Sequence, residues 1–137
     1  MRGALVDSNV ILDVFEEDPT WVDWSESTLD ERSATDRLYI NSVVYAEVSI
    51  GFDRIEDLEA ALCGADLTMV EIPKESLFLA GKAFISYGRK GGTKASPLPD
   101  FFIGAHAAVA GLPLITRDVT RYQAYFPAVD LISPKSP

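Results

Sequence analysis

Four carboxylates stand where the surrounding pattern calls for an apolar residue or a helix cap. Asp7 directly follows the apolar run Ala4-Leu5-Val6, and Glu47 interrupts Val44-Tyr45-Ala46-Glu47-Val48. Asp100 precedes the apolar run Phe101-Phe102-Ile103-Gly104-Ala105, and Asp118 stands two residues past Leu114-Ile115-Thr116. Carboxylates that converge in a cleft of low dielectric repel one another at a cost of several kcal/mol. The usual remedy is a hard divalent cation, and magnesium and manganese both take oxygen ligands and keep several waters. Such an ion can also activate water and offset the charge that builds on a phosphoryl group. Each acid alone has an ordinary explanation: a helix-dipole contact for Asp100, a cap for Asp118, a solvated face for Glu47. Asp7, pinned between a strand and a helix start, is the hardest to explain that way, and four such acids at one sheet edge exceed coincidence. His106, the sole histidine, lies six residues after Asp100 and should point about 120° away around the helix. Its expected role is packing rather than base chemistry.

The elements that must bring these acids together follow from periodicity. Short apolar runs predict strands over 4–6, 38–40, 68–72, 114–116 and 129–132. Helical spacing predicts helices over 10–15, 20–29, 43–52, 53–62, 75–87, 99–110 and 120–125. Ser8 or Asn9 is expected to cap the first of these and Asn41-Ser42 the third; Gly111 ends the sixth. Residues 88–98 form the one extended loop-like stretch. Strands alternating with helices predict an α/β fold, a three-layer α/β/α sandwich with a central, mostly parallel sheet. Ligands of such sheets sit beyond the carboxyl ends of the strands, where Asp7 and Asp118 fall.

Length and composition agree. A chain of 137 residues with 47% hydrophobic and 24% charged residues is expected to fold as one domain over 1–133 with a short tail at 134–137. One cysteine, Cys63, excludes an internal disulfide and a thiolate cluster; it reads as a small apolar residue in a reduced, cytoplasmic compartment. No run approaches the ~20 apolar residues of a membrane span, and the opening residues read as a first strand rather than a leader. The net charge of −9 hides an asymmetry: 16 acidic and 4 basic residues up to Thr68, 5 acidic and 8 basic beyond it. An acidic chain ordinarily argues against a nucleic-acid partner, but the field that matters is local.

Taken in order, Val6-Asp7-Ser8-Asn9-Val10-Ile11-Leu12-Asp13, Tyr45-Ala46-Glu47, Leu98-Pro99-Asp100-Phe101-Phe102-Ile103-Gly104-Ala105-His106-Ala107 and Leu114-Ile115-Thr116-Arg117-Asp118 resemble the PIN domain. More narrowly they resemble VapC-type toxins of prokaryotic toxin–antitoxin modules, and Arg89-Lys90-Gly91-Gly92 resembles one branch of them. The resemblance runs from about Leu5 to Ile132. It implies a small PIN-like sandwich and an endoribonuclease dependent on Mg2+ or Mn2+ that cuts structured RNA, often tRNA or rRNA. It places the metal-site acids at Asp7, Glu47, Asp100 and Asp118, with Asn9 and Thr116 as polar neighbours. It further implies a homodimer inhibited by a VapB-type antitoxin.

The residues read on their own fit these roles. Asp7, Asp100 and Asp118 would hold the ion, with Glu47 as a ligand or acting through a bound water, and Asn9 and Thr116 would orient the carboxylates. Arg89, Lys90, Lys94, Arg117 and Arg121 would contact phosphates. Trp21, Trp24 and Phe52 could line an apolar groove for an antitoxin helix or simply join the core. Two other classes compete. A haloacid-dehalogenase-like phosphatase would need a second acid where Asn9 stands and a later lysine. A receiver-like regulatory domain would need a phosphoacceptor on a middle strand and a lysine where Arg117 stands.

Overall fold

The computed structural model describes residues 2–89 and 98–134. Ala4, Leu5 and Val6 are fully buried, as an unbroken apolar run must be when a strand is flanked on both edges and covered on both faces. They belong to β1 (Arg2–Val6), which pairs in parallel with β2 (Asp36–Ile40) on one side and β4 (Leu114–Ile115) on the other. β3 (Leu67–Met69) and β5 (Leu131–Ile132) form the edges, giving an all-parallel sheet of order β3-β2-β1-β4-β5. Leu5 faces Tyr39 in β2 and Leu114 in β4, and Val6 faces Ile115. A receiver-like domain has the order 2-1-3-4-5, so the topology sets that alternative aside.

Seven helices connect the strands among the described residues: α1 (Ser8–Phe15), α2 (Val22–Ser33), α3 (Ser42–Ser49), α4 (Ile55–Gly64), α5 (Lys74–Arg89), α6 (Leu98–Ala110) and α7 (Thr120–Tyr125). The chain steps from β1 to β2 to β3 in one direction and returns across the sheet to β4 and β5. Right-handed crossovers therefore place α1–α4 and α5–α6 on opposite faces. This is the α/β architecture expected from the alternation of strands and helices. No helix among the described residues is long and apolar enough to cross a membrane.

Local chemistry sets the ends of these elements. Asn41 caps α3 through its side-chain oxygen, which accepts from the N–H groups of Val43 and Val44, both at 3.0 Å. Gly111 adopts φ +66° after α6, and the Leu112 N–H donates to the Ala107 carbonyl at 3.0 Å. That is the six-to-one closure that a left-handed residue permits. The expected third strand shrinks to Leu67–Met69, with one further ladder bond from Val70 N–H to the Ile40 carbonyl. An edge strand has a single neighbour, so pairing ends where β2 ends. The third helix stops at Ser49 rather than 52, where the Ser49 hydroxyl donates to the Ala46 carbonyl at 2.6 Å. α5 extends through Gly88 and Arg89, into the stretch expected to be a loop; the rest of that stretch up to Pro97 lies outside the described residues. Cys63 is exposed on α4 rather than packed.

An aromatic cluster secures the return crossover. Phe101 of α6 is fully buried, with ring centroids of Phe84, Tyr87, Tyr125 and Phe126 at 5.2–6.0 Å. It thereby ties α5, α6 and the end of α7 together directly beside Asp100. Gly104 makes room for this arrangement, because a Cβ there would lie 2.4 Å from the Phe126 ring. Helix propensity alone favours alanine over glycine by about 1 kcal/mol, whereas overpacking a closed aromatic cluster costs about 1–3 kcal/mol. Gly104→Ala is therefore expected to lower the unfolding midpoint in a denaturant titration, and an unchanged or raised midpoint would contradict this packing.

Candidate active site

Connections leave the two ends of the central pair in opposite directions, so the carboxyl ends of β1 and β4 form the topological switch point, where such sheets bind ligands. Asp7 sits at that point, its N–H donating to the Ile115 carbonyl at 2.9 Å. It caps α1 in place of the expected Ser8 or Asn9: Oδ1 accepts from the Ser8 N–H at 2.8 Å. Oδ2 accepts from the Thr116 hydroxyl at 2.8 Å and from the Tyr122 hydroxyl at 2.9 Å. Three donors favour the charged form, yet burial outweighs them and the carboxyl is pushed from 3.8 up to about 6, with the Asp100 charge adding to the rise.

The other three acids lie in the same field. Glu47, on α3, accepts from the Ser8 hydroxyl at 2.8 Å. Its pKa is raised, chiefly by burial against that hydrogen bond and with a further contribution from Asp100. Asp100, in the first turn of α6, is raised by burial and by Asp118, against the lowering pull of Arg121. Asp118 is more open, its side chain 43% exposed, and its backbone N–H donates to Thr116 Oγ1 at 3.0 Å. Asp100 thus shares an electrostatic field with Asp7, Glu47 and Asp118. Arg121 of α7 pairs with Asp100 Oδ2 and lies 4.0 Å from Asp118 Oδ2.

The donor set suits a hard divalent cation: only oxygens, partly withdrawn from water, and mutually repelling. Among the described residues no group of three acidic, histidine or cysteine side chains is placed to hold a metal ion as it stands, and Arg121 pairs with Asp100. A hollow of about 620 Å³ at the β3 edge, lined by residues including Asp36, Tyr45 and Thr68, contains none of the four acids.

The remaining predicted residues divide. Thr116 touches Asp7 as expected, whereas Asn9 hydrogen-bonds Thr116 and the Arg117 N–H and, among the described residues, no carboxylate. Asn9 Nδ2 donates to Thr116 Oγ1 at 3.4 Å, and its Oδ1 accepts from the Arg117 N–H at 3.3 Å, bracing the turn that carries Asp118. Arg117, expected at a phosphate, turns away from that role. Its Nε and Nη2 donate to the buried Asp13 at 2.6 and 2.9 Å, and its guanidinium lies 4.9 Å from the Trp21 ring centroid. The Ser25 hydroxyl completes the group at 2.7 Å from Asp13 Oδ2. Arg89 is exposed at the end of α5, and Lys90 and Lys94 lie outside the described residues. Trp24 packs against the core and Phe52 meets Phe15 edge-on at 5.9 Å. His106 is buried with Nδ1 3.1 Å from Asn41 Nδ2, and burial lowers its pKa, so it serves as a neutral link between α6 and the α3 cap.

Tyr122 touches Asp7 without any signal in the periodicity, and Ser8, expected only as a cap, touches Glu47. An aromatic residue one helical turn beyond Asp118 reads as core, and only the tertiary fold turns its hydroxyl toward Asp7.

Two outcomes follow from this geometry. The folded state binds a proton at Asp7 more tightly than the unfolded chain does. Stability therefore falls as pH rises from about 4 through about 6. With a chelator present, Asp7→Asn should be stabilised relative to wild type more at pH 7.5 than at pH 5. The difference should be about 1–1.5 kcal/mol by denaturant titration, from ~1.4 kcal/mol per unit of pKa; a pH-independent offset would contradict a buried, ionising Asp7. Arg117→Ala strands the buried Asp13 carboxylate and should cost about 2–4 kcal/mol of stability. Reduced RNA affinity at unchanged stability would instead mark Arg117 as a phosphate ligand.

The chain matches the family model described as the PIN domain over residues 4–126. Curated proteins contain no match to it. Among solved structures it is similar to VapBC2 from Rickettsia felis bound to a promoter DNA fragment, at 18% identity and TM-score 0.73, covering 96% of this chain and 98% of that one. VapBC-1 from nontypeable Haemophilus influenzae follows at 20% identity and TM-score 0.71, covering 96% and 97%. DNA-bound VapBC from Salmonella typhimurium is 19% identical with TM-score 0.70, covering 97% and 98%. With the family model spanning most of its length and the acids gathered at the switch point of its sheet, the chain belongs to the PIN-domain family.

Proposed function

We propose that the chain is a divalent-metal-dependent endoribonuclease, the VapC-type toxin of a type II toxin–antitoxin module, which cleaves structured RNA such as tRNA or rRNA. The observation that carries this reading is a buried carboxylate, Asp7, at the switch point of the sheet and within the field of Asp100. Leaving such a group ionised and unaccompanied is costly, and a positive ligand removes that cost. The likeness to VapBC complexes supports the toxin assignment and a VapB-type antitoxin as partner. A homodimer in the cytoplasm belongs to the same reading.

Asp7, Asp100 and Asp118, with Glu47 directly or through water, would hold Mg2+ or Mn2+. When bound, the ion supplies Lewis acidity toward the phosphoryl oxygens and activates water. The chain's own groups do the rest. Thr116 and Tyr122 fix Asp7 by donating to Oδ2, and the Ser8 N–H holds Oδ1. Ser8 fixes Glu47 in the same way. Asn9 and the Asp13–Arg117 pair set the turn from which Asp118 projects. Arg89, Lys90, Lys94 and Arg121 contact phosphates of the substrate backbone.

The test is cleavage of a 5′-labelled structured RNA in the presence of magnesium or manganese. EDTA should abolish cleavage, and Asp100→Asn should reduce its rate at least about a hundredfold without loss of fold, because the ion's charge is worth several kcal/mol in the transition state. Full cleavage in EDTA, or by the Asp100→Asn variant, refutes the proposal. Addition of a VapB-type antitoxin should suppress the activity.

A further inference from the structure

We propose that Arg121 is a built-in counter-ion that competes with the divalent cation for Asp100, and that its displacement by the cation frees it for the substrate phosphate. The inference rests on the metal-dependent reading above and concerns how that site is regulated.

Two observations conflict if each residue has a single role. Asp100 is needed as an oxygen ligand for the ion, and Arg121 as a cation for the RNA backbone. In the structure they hold each other: Nη1 of Arg121 pairs with Asp100 Oδ2 and lies 4.0 Å from Asp118 Oδ2. A guanidinium between two carboxylates occupies the electrostatic position a divalent ion would take. Two cations drawn to the same carboxylates repel each other, so each weakens the other's hold on Asp100.

The same short helix holds one fixed donor and one releasable cation. Tyr122 is buried, with its hydroxyl committed to Asp7. Arg121, one residue earlier, keeps 28% of its side chain exposed and Asp100 keeps 24%. A partly exposed pair of this kind is weak enough to exchange. Released, the guanidinium stays tethered to α7 beside the cleft, where a planar fork can take two phosphate oxygens.

Competition at one end and phosphate contact at the other make the two ligands cooperative. The ion removes the acids' repulsion of RNA and supplies a free arginine in the same event. By linkage, phosphate that captures Arg121 must tighten the ion in return. This bears on how a chain of net charge −9 takes up a polyanion: the ion offsets much of the charge of the acidic cleft.

The test measures Mn2+ binding by calorimetry, without RNA, for wild type and Arg121→Ala of equal thermal stability. The variant should bind the ion about threefold to tenfold more tightly, the scale of a partly exposed ion pair or a modest allosteric coupling. A polarisation assay with a fluorescent phosphorothioate RNA hairpin then reads the second half. Wild type should bind the hairpin more tightly as manganese is added, and Arg121→Ala should lose most of that gain. Equal or weaker manganese affinity in the variant overturns the competition, and an undiminished manganese-dependent gain overturns the release. If wild type itself takes up no manganese, the metal-dependent reading falls and this inference with it. Strong manganese binding that is blind to Arg121 removes this inference alone.

Discussion

The organisation of this protein depends on keeping one carboxylate, Asp7, ionisable inside an otherwise apolar sheet terminus. Val6 before it is fully buried and Asp7 itself is 3% exposed. The fold spends three donors on it: the Ser8 N–H, the Thr116 hydroxyl and the Tyr122 hydroxyl, from the start of α1, the end of β4 and the middle of α7. Thr116 and Tyr122 lie more than a hundred residues from Asp7 in sequence, so their hydrogen bonds also close the sheet's central crossing. Burial still prevails, and the group sits near 6 rather than 3.8. A site held in that condition is poised for a positive ligand, because such a ligand gains the desolvation energy already spent.

Around Asp7 the fold builds supports whose value lies in orientation. The Asp13–Arg117 pair, with Ser25 and Trp21, locks α1 and α2 to the turn after β4. Asn9 grips the same turn by the Arg117 N–H. On the far side, Asn41 caps α3 with one end of its amide and meets His106 of α6 with the other. That single side chain therefore ties the helix bearing Glu47 to the helix bearing Asp100. Rigid elements carry the acids, and polar clamps fix the elements to each other.

Much of this was legible in the sequence because local chemistry and tertiary need agree there. The alternation of elements, the Asn41 cap, the Gly111 terminus and the four acids are all properties of short windows. Asp7 stood out because a charge at the end of a buried run has no cheap local explanation. What could not be read depends on groups meeting across the fold. Arg117 and Arg121 are the same residue type four positions apart, flanking Asp118, yet one is bound to Asp13 of α1 and the other to Asp100 of α6. Composition treats both as phosphate-binding candidates; only their three-dimensional partners separate them. Tyr122 was hidden for the same reason, since its ring is core and only its hydroxyl is functional. Periodicity runs past the end of β3, where its partner β2 ends, and past the end of α3, where the Ser49 hydroxyl takes the Ala46 carbonyl.

The charge distribution resolves once it is seen from the cleft. The four acids of the candidate site are drawn from both halves of the chain, Asp7 and Glu47 from the first and Asp100 and Asp118 from the second. A strongly negative cleft repels a polyanion, so an enzyme built this way has no resting affinity for its substrate beyond what its flanking cations provide. That arrangement is a defect in a scavenging nuclease and an advantage in one whose unprompted activity is harmful. On the proposed mechanism, binding requires the acids to be neutralised first, and the chain supplies a neutraliser of its own, Arg121, that an external cation has to displace. The internal ion pair would then stabilise the resting protein by the same contact that delays substrate binding.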